Sequence, residues 1–111
     1  MAPEYKIEIT QYAFRQLEGI RNYITYELMA PRAAFNLMAK IRKEITELQW
    51  FPRRYALVDE PKWLKQGVRR FSVKNFLIYY WIEEELKLVH VIAVIYGRRD
   101  QLKQLEFVEC D

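Results

Sequence analysis

GVRRFSVKNFLIYYWIEEELKLVHVIAVIYGRRD, residues 67–100, is the stretch whose reading decides the fold. Phe71 and Val73 alternate with Arg70, Ser72 and Lys74, the period of two expected of a strand with one apolar face. Lys74 and Asn75 then form a turn, and Phe76–Ile82 follows as a segment aromatic and branched on both faces, which suits a central strand covered on two sides. Glu83–Lys87 makes a charged hairpin tip, Leu88–Tyr96 is the returning strand, and Gly97 stops it. Three strands joined by short turns predict an antiparallel meander.

Upstream the period changes. Tyr5, Ile7 and Ile9 alternate with Lys6 and Glu8, which predicts a short strand with one buried face, and Thr10 is placed to cap a helix. Ala13, Leu17, Ile20, Ile24 and Leu28 recur at helical spacing and predict one amphipathic helix. Pro31 ends it and suits the first turn of the next helix, whose stripe is Ala34, Leu37, Met38, Ile41, Ile45 and Leu48. The short link makes the two helices an antiparallel hairpin. Phe51–Pro61, with its prolines and mixed charge, reads as a surface connection, and 101–107 is too short to assign to helix or strand. The expectation is an α+β domain spanning 1–111: an N-terminal strand, an antiparallel two-helix hairpin, then a three-stranded antiparallel meander forming one small sheet. One sheet face packs on the helices, and the other carries Arg70, Lys74 and aromatic rings toward a concave or partner-covered surface.

Composition bounds the function. With 51% hydrophobic and 15% aromatic residues, and only three glycines and four prolines, the chain is globular and neither disordered nor fibrous. No apolar run reaches the roughly 20 residues of a membrane helix, and the N-terminus lacks the continuous apolar core of a secretory signal, so a cytoplasmic domain without membrane contact is expected. One cysteine, Cys110, permits no internal disulfide and no thiolate metal cluster. The net charge is +3, and Arg53, Arg54, Lys62, Lys65, Arg69, Arg70 and Lys74 face only Asp59 and Glu60 between positions 53 and 82. Such a surface attracts phosphates or an acidic partner, or simply aids solubility; charge alone does not choose.

The candidate functional groups follow from placement. Arg98 and Arg99 leave a strand end after Tyr96-Gly97 and can hold phosphate, or one of them pairs with Asp100. Strand parity puts Arg69 and Arg70 on opposite faces and gives Arg70 the surface of Lys74. Tyr79, Tyr80 and Trp81 offer ring faces for stacking, although strand aromatics are core more often than platform. His90, the single histidine, lies mid-strand and reads as structural, and Glu83, Glu84 and Glu85 splay around the hairpin tip and read as solvated. No glycine-rich phosphate loop, nucleophile elbow or Cys/His arrangement is present, and no cofactor or metal is expected.

GVRRFSVKNFLIYY (67–80) and VIAVIYGRRD (91–100) together resemble the C-terminal half of toxins of the RelE/ParE superfamily. Tyr23-Ile24 in the first helix, Ala33-Ala34 in the second, and Leu48 leading to Phe51-Pro52-Arg53 are similar to ParE-like members. The resemblance implies a growth-inhibiting toxin of a bacterial type II pair, neutralised by a cognate antitoxin that wraps across its sheet and helices. It implies one of two activities. ParE-like members inhibit DNA gyrase by binding, whereas RelE-like members cut mRNA on the ribosome. In the RelE-type ribonucleases an arginine commonly follows the aromatic residue that begins the central strand; here Leu77 follows Phe76. Arg70 and Arg98 or Arg99 fall near basic positions of that active site, with Lys74 beside them. Tyr96 is the best candidate base, a phenol whose ordinary pKa near 10 would need a large shift. The favoured expectation is therefore a ParE-like toxin binding gyrase through Arg70, Lys74, Arg98 and Arg99. The alternative is a ribosome-dependent mRNA endonuclease using Arg70, Lys74, Tyr96, Arg98 and Arg99, and the second alternative a non-toxic interaction module.

Overall fold

The computed structural model describes residues 2–97. Strand β1 (Lys6–Ile9) leads through Thr10 into helix α1 (Gln11–Asn22), and the Thr10 hydroxyl caps the helix by accepting the Ala13 N–H at 3.2 Å. α1 widens into a π-helical turn at Tyr23–Glu27, closed by the Leu28 N–H on the Tyr23 carbonyl at 3.0 Å. Ala13, Leu17, Ile20 and Ile24 reach the core, while Leu28, after the π-helical turn, is 55% exposed and lines a groove with Ile20 and Ile24. This corrects the expectation of one uninterrupted helical face.

Met29, with φ 51, turns the chain, and Pro31 opens helix α2 (Pro31–Thr46). Ala34, Leu37, Ile41 and Ile45 are buried on it, with Leu48 fully buried in the turn after it. The connection from Phe51 is more ordered than its composition suggests. It contains a helical turn at Pro52–Arg54, then helix α3 (Pro61–Gln66), ended by Gly67 in the left-handed conformation at φ 80. α3 was not expected because six residues carry too little periodicity to read; its anchor is Trp63, 4% exposed.

Strands β2 (Arg69–Val73), β3 (Phe76–Glu83) and β4 (Leu88–Tyr96) form the antiparallel meander. The sheet has four strands in the order β1-β4-β3-β2, and β1 lies parallel to β4, so it is mixed where a purely antiparallel array was expected. The helical hairpin permits this: it carries the chain away after β1, so β1 is joined to β4 through the rest of the domain and not by a tight turn. Because β1 is an edge strand, Tyr5 before it is buried and Ile7 half-buried, but Ile9 is 37% exposed.

Both sheet faces are covered. Phe71, Val73, Ile78, Tyr80, Val89, Val91 and Val94 pack with Ala13, Leu37, Ile41, Ile45 and Leu48 on the helix side. Tyr79, Ile92, Ala93 and Ile95 pack with Val58, Trp63 and Val68 on the other side, joined by Leu77 and Trp81. Register shifts between Tyr79 and Tyr80, which pair with Ala93 and Val91; Ile92 is the extra residue, so Ile92 and Ala93 both serve the second core.

Candidate functional site

β2 places Arg70 on the face away from the helices, paired across the sheet with Tyr79 and with its guanidinium carbon 6.0 Å from the centre of that ring. Arg69 points the other way, as alternation requires, and donates from Nη1 to the Tyr55 carbonyl at 2.7 Å. Lys74 is exposed in the β2–β3 turn with φ 57. Strand parity therefore ends at Val73, and the expected shared face of Arg70 and Lys74 is not imposed by the pleat. Lys74 thus lies one residue beyond the end of β2, four positions along the chain from Arg70.

Tyr96 closes β4 on the helix side: it pairs with Phe76, their ring centres 5.5 Å apart, and is 36% exposed. Leu77 lies on the opposite face, paired with Ser72 and Ile95. Thus Arg70 and Tyr96 are on opposite sides of the sheet, and the structure does not bring them together. Arg98 and Arg99 lie outside the described residues. The Gly97 N–H that precedes them is bonded to the Asn75 carbonyl at 2.7 Å, so β4 ends against the turn that carries Lys74.

Tyr79 and Tyr80 are fully buried and cannot serve as stacking platforms. Tyr80 donates its hydroxyl to the Pro52 carbonyl at 2.5 Å, and burial pushes its pKa up to about 12. Trp81 stacks on His90, with ring centres 4.5 Å apart. The His90 ring nitrogens are held by Glu83 at 2.8 Å and Glu8 at 3.5 Å, which fixes the imidazole between two strands and the hairpin tip.

The acidic tip is not simply solvated. Glu84 accepts from Tyr5 Oη at 2.7 Å, pairs with Lys87 Nζ at 2.5 Å and makes an ion pair with Arg53; Lys87 also reaches Glu4 at 3.2 Å. Lys87, Tyr5 and Arg53 together hold the Glu84 carboxyl down to about 2. This cluster joins positions far apart in sequence, and no local spacing announces it. Arg54 likewise pairs with Glu47 at 3.6 Å, so Arg53, Arg54 and Arg69 of the basic stretch are engaged within the protein.

Two apolar grooves flank α1. One, of about 580 Å³, lies between α1, α2 and β1 and is lined by Ile7, Ile9, Phe14, Leu17, Phe35 and Met38, with Glu18, Arg21 and Arg42 also in its lining. The other, of about 680 Å³, runs from Gly19, Ile20 and Tyr23 of the helical segment to Phe76 and Tyr96 of the sheet. Around the hairpin turn Tyr26 and Met29 are 73% and 84% exposed, and Phe35 in the second turn of α2 is 72% exposed. Among the described residues no cluster of His, Cys, Asp and Glu could hold a metal ion, and no helix is long and apolar enough to cross a membrane.

Comparison with known proteins agrees with this architecture. The fold is similar to the chromosomal ParDE toxin–antitoxin system of P. aeruginosa, with TM-score 0.68 and 18% identity over 84% of this chain and 96% of that one. It is similar to the toxin–antitoxin complex RelBE2 of Mycobacterium tuberculosis, with TM-score 0.61 and 18% identity over 86% and 99% of the two chains. The isolated E. coli RelE toxin matches with TM-score 0.56 and 15% identity over 92% and 94%. No curated protein matches by sequence. At these identities the structural likenesses concern the fold; the family is decided by the sequence, because residues 7–101 match the family described as ParE toxin of type II toxin-antitoxin system, parDE. Strand, helical hairpin, meander and sequence thus agree, and the chain belongs to the ParE toxin family within the RelE/ParE superfamily.

Proposed function

We propose that this toxin acts in the cytoplasm by binding DNA gyrase and inhibiting it without chemistry of its own, and that a cognate antitoxin silences it by filling the apolar grooves beside α1. The observation that carries the non-catalytic part is the placement of the ribonuclease candidates. Leu77 stands where the RelE-type pattern has arginine, and Arg70 and Tyr96 lie on opposite faces of the sheet. General acid–base catalysis needs its groups within hydrogen-bond reach of one substrate, and the separation of Arg70 from Tyr96 across the sheet argues against these two serving one substrate. The match to ParE-type toxins supports gyrase as the target. Arg70, Lys74, Arg98 and Arg99 are the proposed contacts to gyrase, where charge complementarity would act on encounter rate and orientation. The exposed Phe14, Phe35 and Met29 are suited to burial by an amphipathic antitoxin segment.

The test compares inhibition of gyrase supercoiling with mRNA cleavage on translating ribosomes, using the purified toxin. Supercoiling inhibition without cleavage is expected; codon-positioned cleavage would overturn the reading in favour of the ribonuclease. Arg98→Ala or Arg99→Ala should relieve growth arrest more than His90→Gln, and equal relief from all three would point to lost folding instead of lost contacts.

A further inference from the structure

Strand β4 outlasts the strand beside it. β1 pairs with β4 only from Leu88 to Val91, so the rest of β4, as far as Tyr96, has no strand on that side among the described residues. The Gly97 N–H bonds toward β3, on the Asn75 carbonyl, and main-chain groups alternate along an antiparallel strand, so those of Val94 and Tyr96 point away from β3. Helix α1 borders this open edge and substitutes for a strand at one point: the Gln16 side chain accepts the Val94 N–H at 2.7 Å. One helical turn further on, the next residue on that side is Gly19, which has no side chain to do the same at Tyr96. Among the described residues nothing asks for glycine there. A β-carbon built on Gly19 meets no packing partner within 4 Å, its φ is not positive, and glycine inside a helix is less stable than alanine. The space belongs to the groove of about 680 Å³, on whose lining Tyr23, Leu28 and Tyr96 are 56%, 55% and 36% exposed. No described lining residue carries a formal charge, although 30% of the chain is charged.

We infer that the gap at Gly19 is a main-chain docking slot: an extended segment of the antitoxin passes Gly19, hydrogen-bonds to the Tyr96 N–H and the Val94 carbonyl as the strand missing beside the end of β4, and sends uncharged side chains into the groove. The inference rests on the reading that an antitoxin fills the grooves beside α1, and it gives the occupant of one groove a conformation and a determinant. An extended backbone fits because the edge offers a donor and an acceptor at strand spacing, which a helix, its own main chain bonded internally, would leave unmet. Uncharged side chains fit because a charge entering a groove with no charged lining would lose its hydration without gaining a partner. Glycine fits because the segment must come within hydrogen-bond distance of Tyr96, and a side chain at position 19, which lines the same groove, would stand in its path.

The experiment uses the full toxin, as wild type, Gly19→Ala and Gly19→Leu, together with the purified antitoxin encoded beside the toxin gene. It reads the dissociation constant of each pair, the melting temperature of each free toxin, and hydrogen exchange at the Tyr96 amide with and without antitoxin. Gly19→Ala should raise the melting temperature of the free toxin by about 4 °C, because alanine is the better helix former. The same variant should weaken antitoxin binding by about tenfold, the loss of one main-chain hydrogen bond. Gly19→Leu should weaken it by about a hundredfold, by filling the slot. The Tyr96 amide should exchange freely in the free toxin and be protected in the complex. Stability that rises while binding falls is an outcome that a merely structural glycine would not give. Wild-type affinity in either variant, a fall in the melting temperature of Gly19→Ala, or a Tyr96 amide left unprotected in the complex would overturn the slot and leave the antitoxin reading intact. An antitoxin that does not bind the wild-type toxin at all would defeat that reading, and the slot with it.

Discussion

Removing one oxygen atom from the centre of the molecule tests how the Pro52 turn is tied to the sheet. Tyr80 is fully buried, and its hydroxyl reaches the Pro52 carbonyl at 2.5 Å, across 28 positions of sequence. Tyr80→Phe keeps the ring and its edge contact with Phe71 and deletes the bond. At neutral pH the loss, with a buried carbonyl left unpaired, costs about 1–1.5 kcal/mol. That corresponds to a fall of roughly 4–8 °C in melting temperature for a domain of this size. The pH dependence sharpens the test. Burial raises the Tyr80 pKa from 10.0 in the unfolded chain to about 12 in the fold. A raised folded-state pKa means that the phenol's contribution is complete below pH 10 and is lost as pH rises through about 12. Each pH unit in that window removes about 1.4 kcal/mol, so the wild-type advantage vanishes near about pH 11 and the order reverses above it. Urea unfolding of both proteins at pH 7, 9, 11 and 12, followed by tryptophan fluorescence, measures the difference, and groups titrating in both proteins cancel. A gap that stays constant from pH 7 to 12 would refute the reasoning, because it would mean that the hydroxyl meets solvent.

Three further outcomes are expected. Glu84 is held to about 2 in the fold by Lys87, Tyr5 and Arg53, against 4.5 unperturbed, so its contribution is present above pH 4.5 and lost as pH falls through 2. Glu84→Gln should therefore flatten the acid limb of the unfolding curve between those values, and identical limbs would deny the cluster any energetic role. Leu77→Arg should not create a ribonuclease, since Tyr96 remains across the sheet from position 77; ribosome-dependent cleavage by this variant would contradict the face assignment. Replacing the exposed Met29 and Phe35 by serine should raise the solubility of the free toxin while weakening capture by antitoxin, and unchanged aggregation in light scattering would place the sticky surface elsewhere.

How far the sequence could be read depended on the range of the forces involved. Thr10 as a cap and the Ala34–Leu37–Ile41–Ile45 stripe depend on neighbours within about one helical turn, so periodicity exposes them. The β2–β3–β4 meander is legible for the same reason, since adjacent strands are joined by tight turns. The π-helical turn before Leu28 and the six-residue α3 escape the same reading, because one inserted residue or one short turn leaves no repeated pattern.

The functional surface divides along the same line. Sequence alone determined the strand–hairpin–meander order, the apolar central strand, the leucine at 77 and the paired arginines at a strand end, because each is a matter of residue type at a local position. Tertiary structure alone decided that β1 joins β4 in parallel, and that Glu84 of the supposedly solvated tip binds Tyr5, Arg53 and Lys87. It also decided that Arg70 and Tyr96 are separated by the sheet, and that Gly97 meets Asn75. Those facts depend on contacts between segments tens of residues apart, and a side chain's partners at that range are fixed by how the chain packs, which no local pattern encodes.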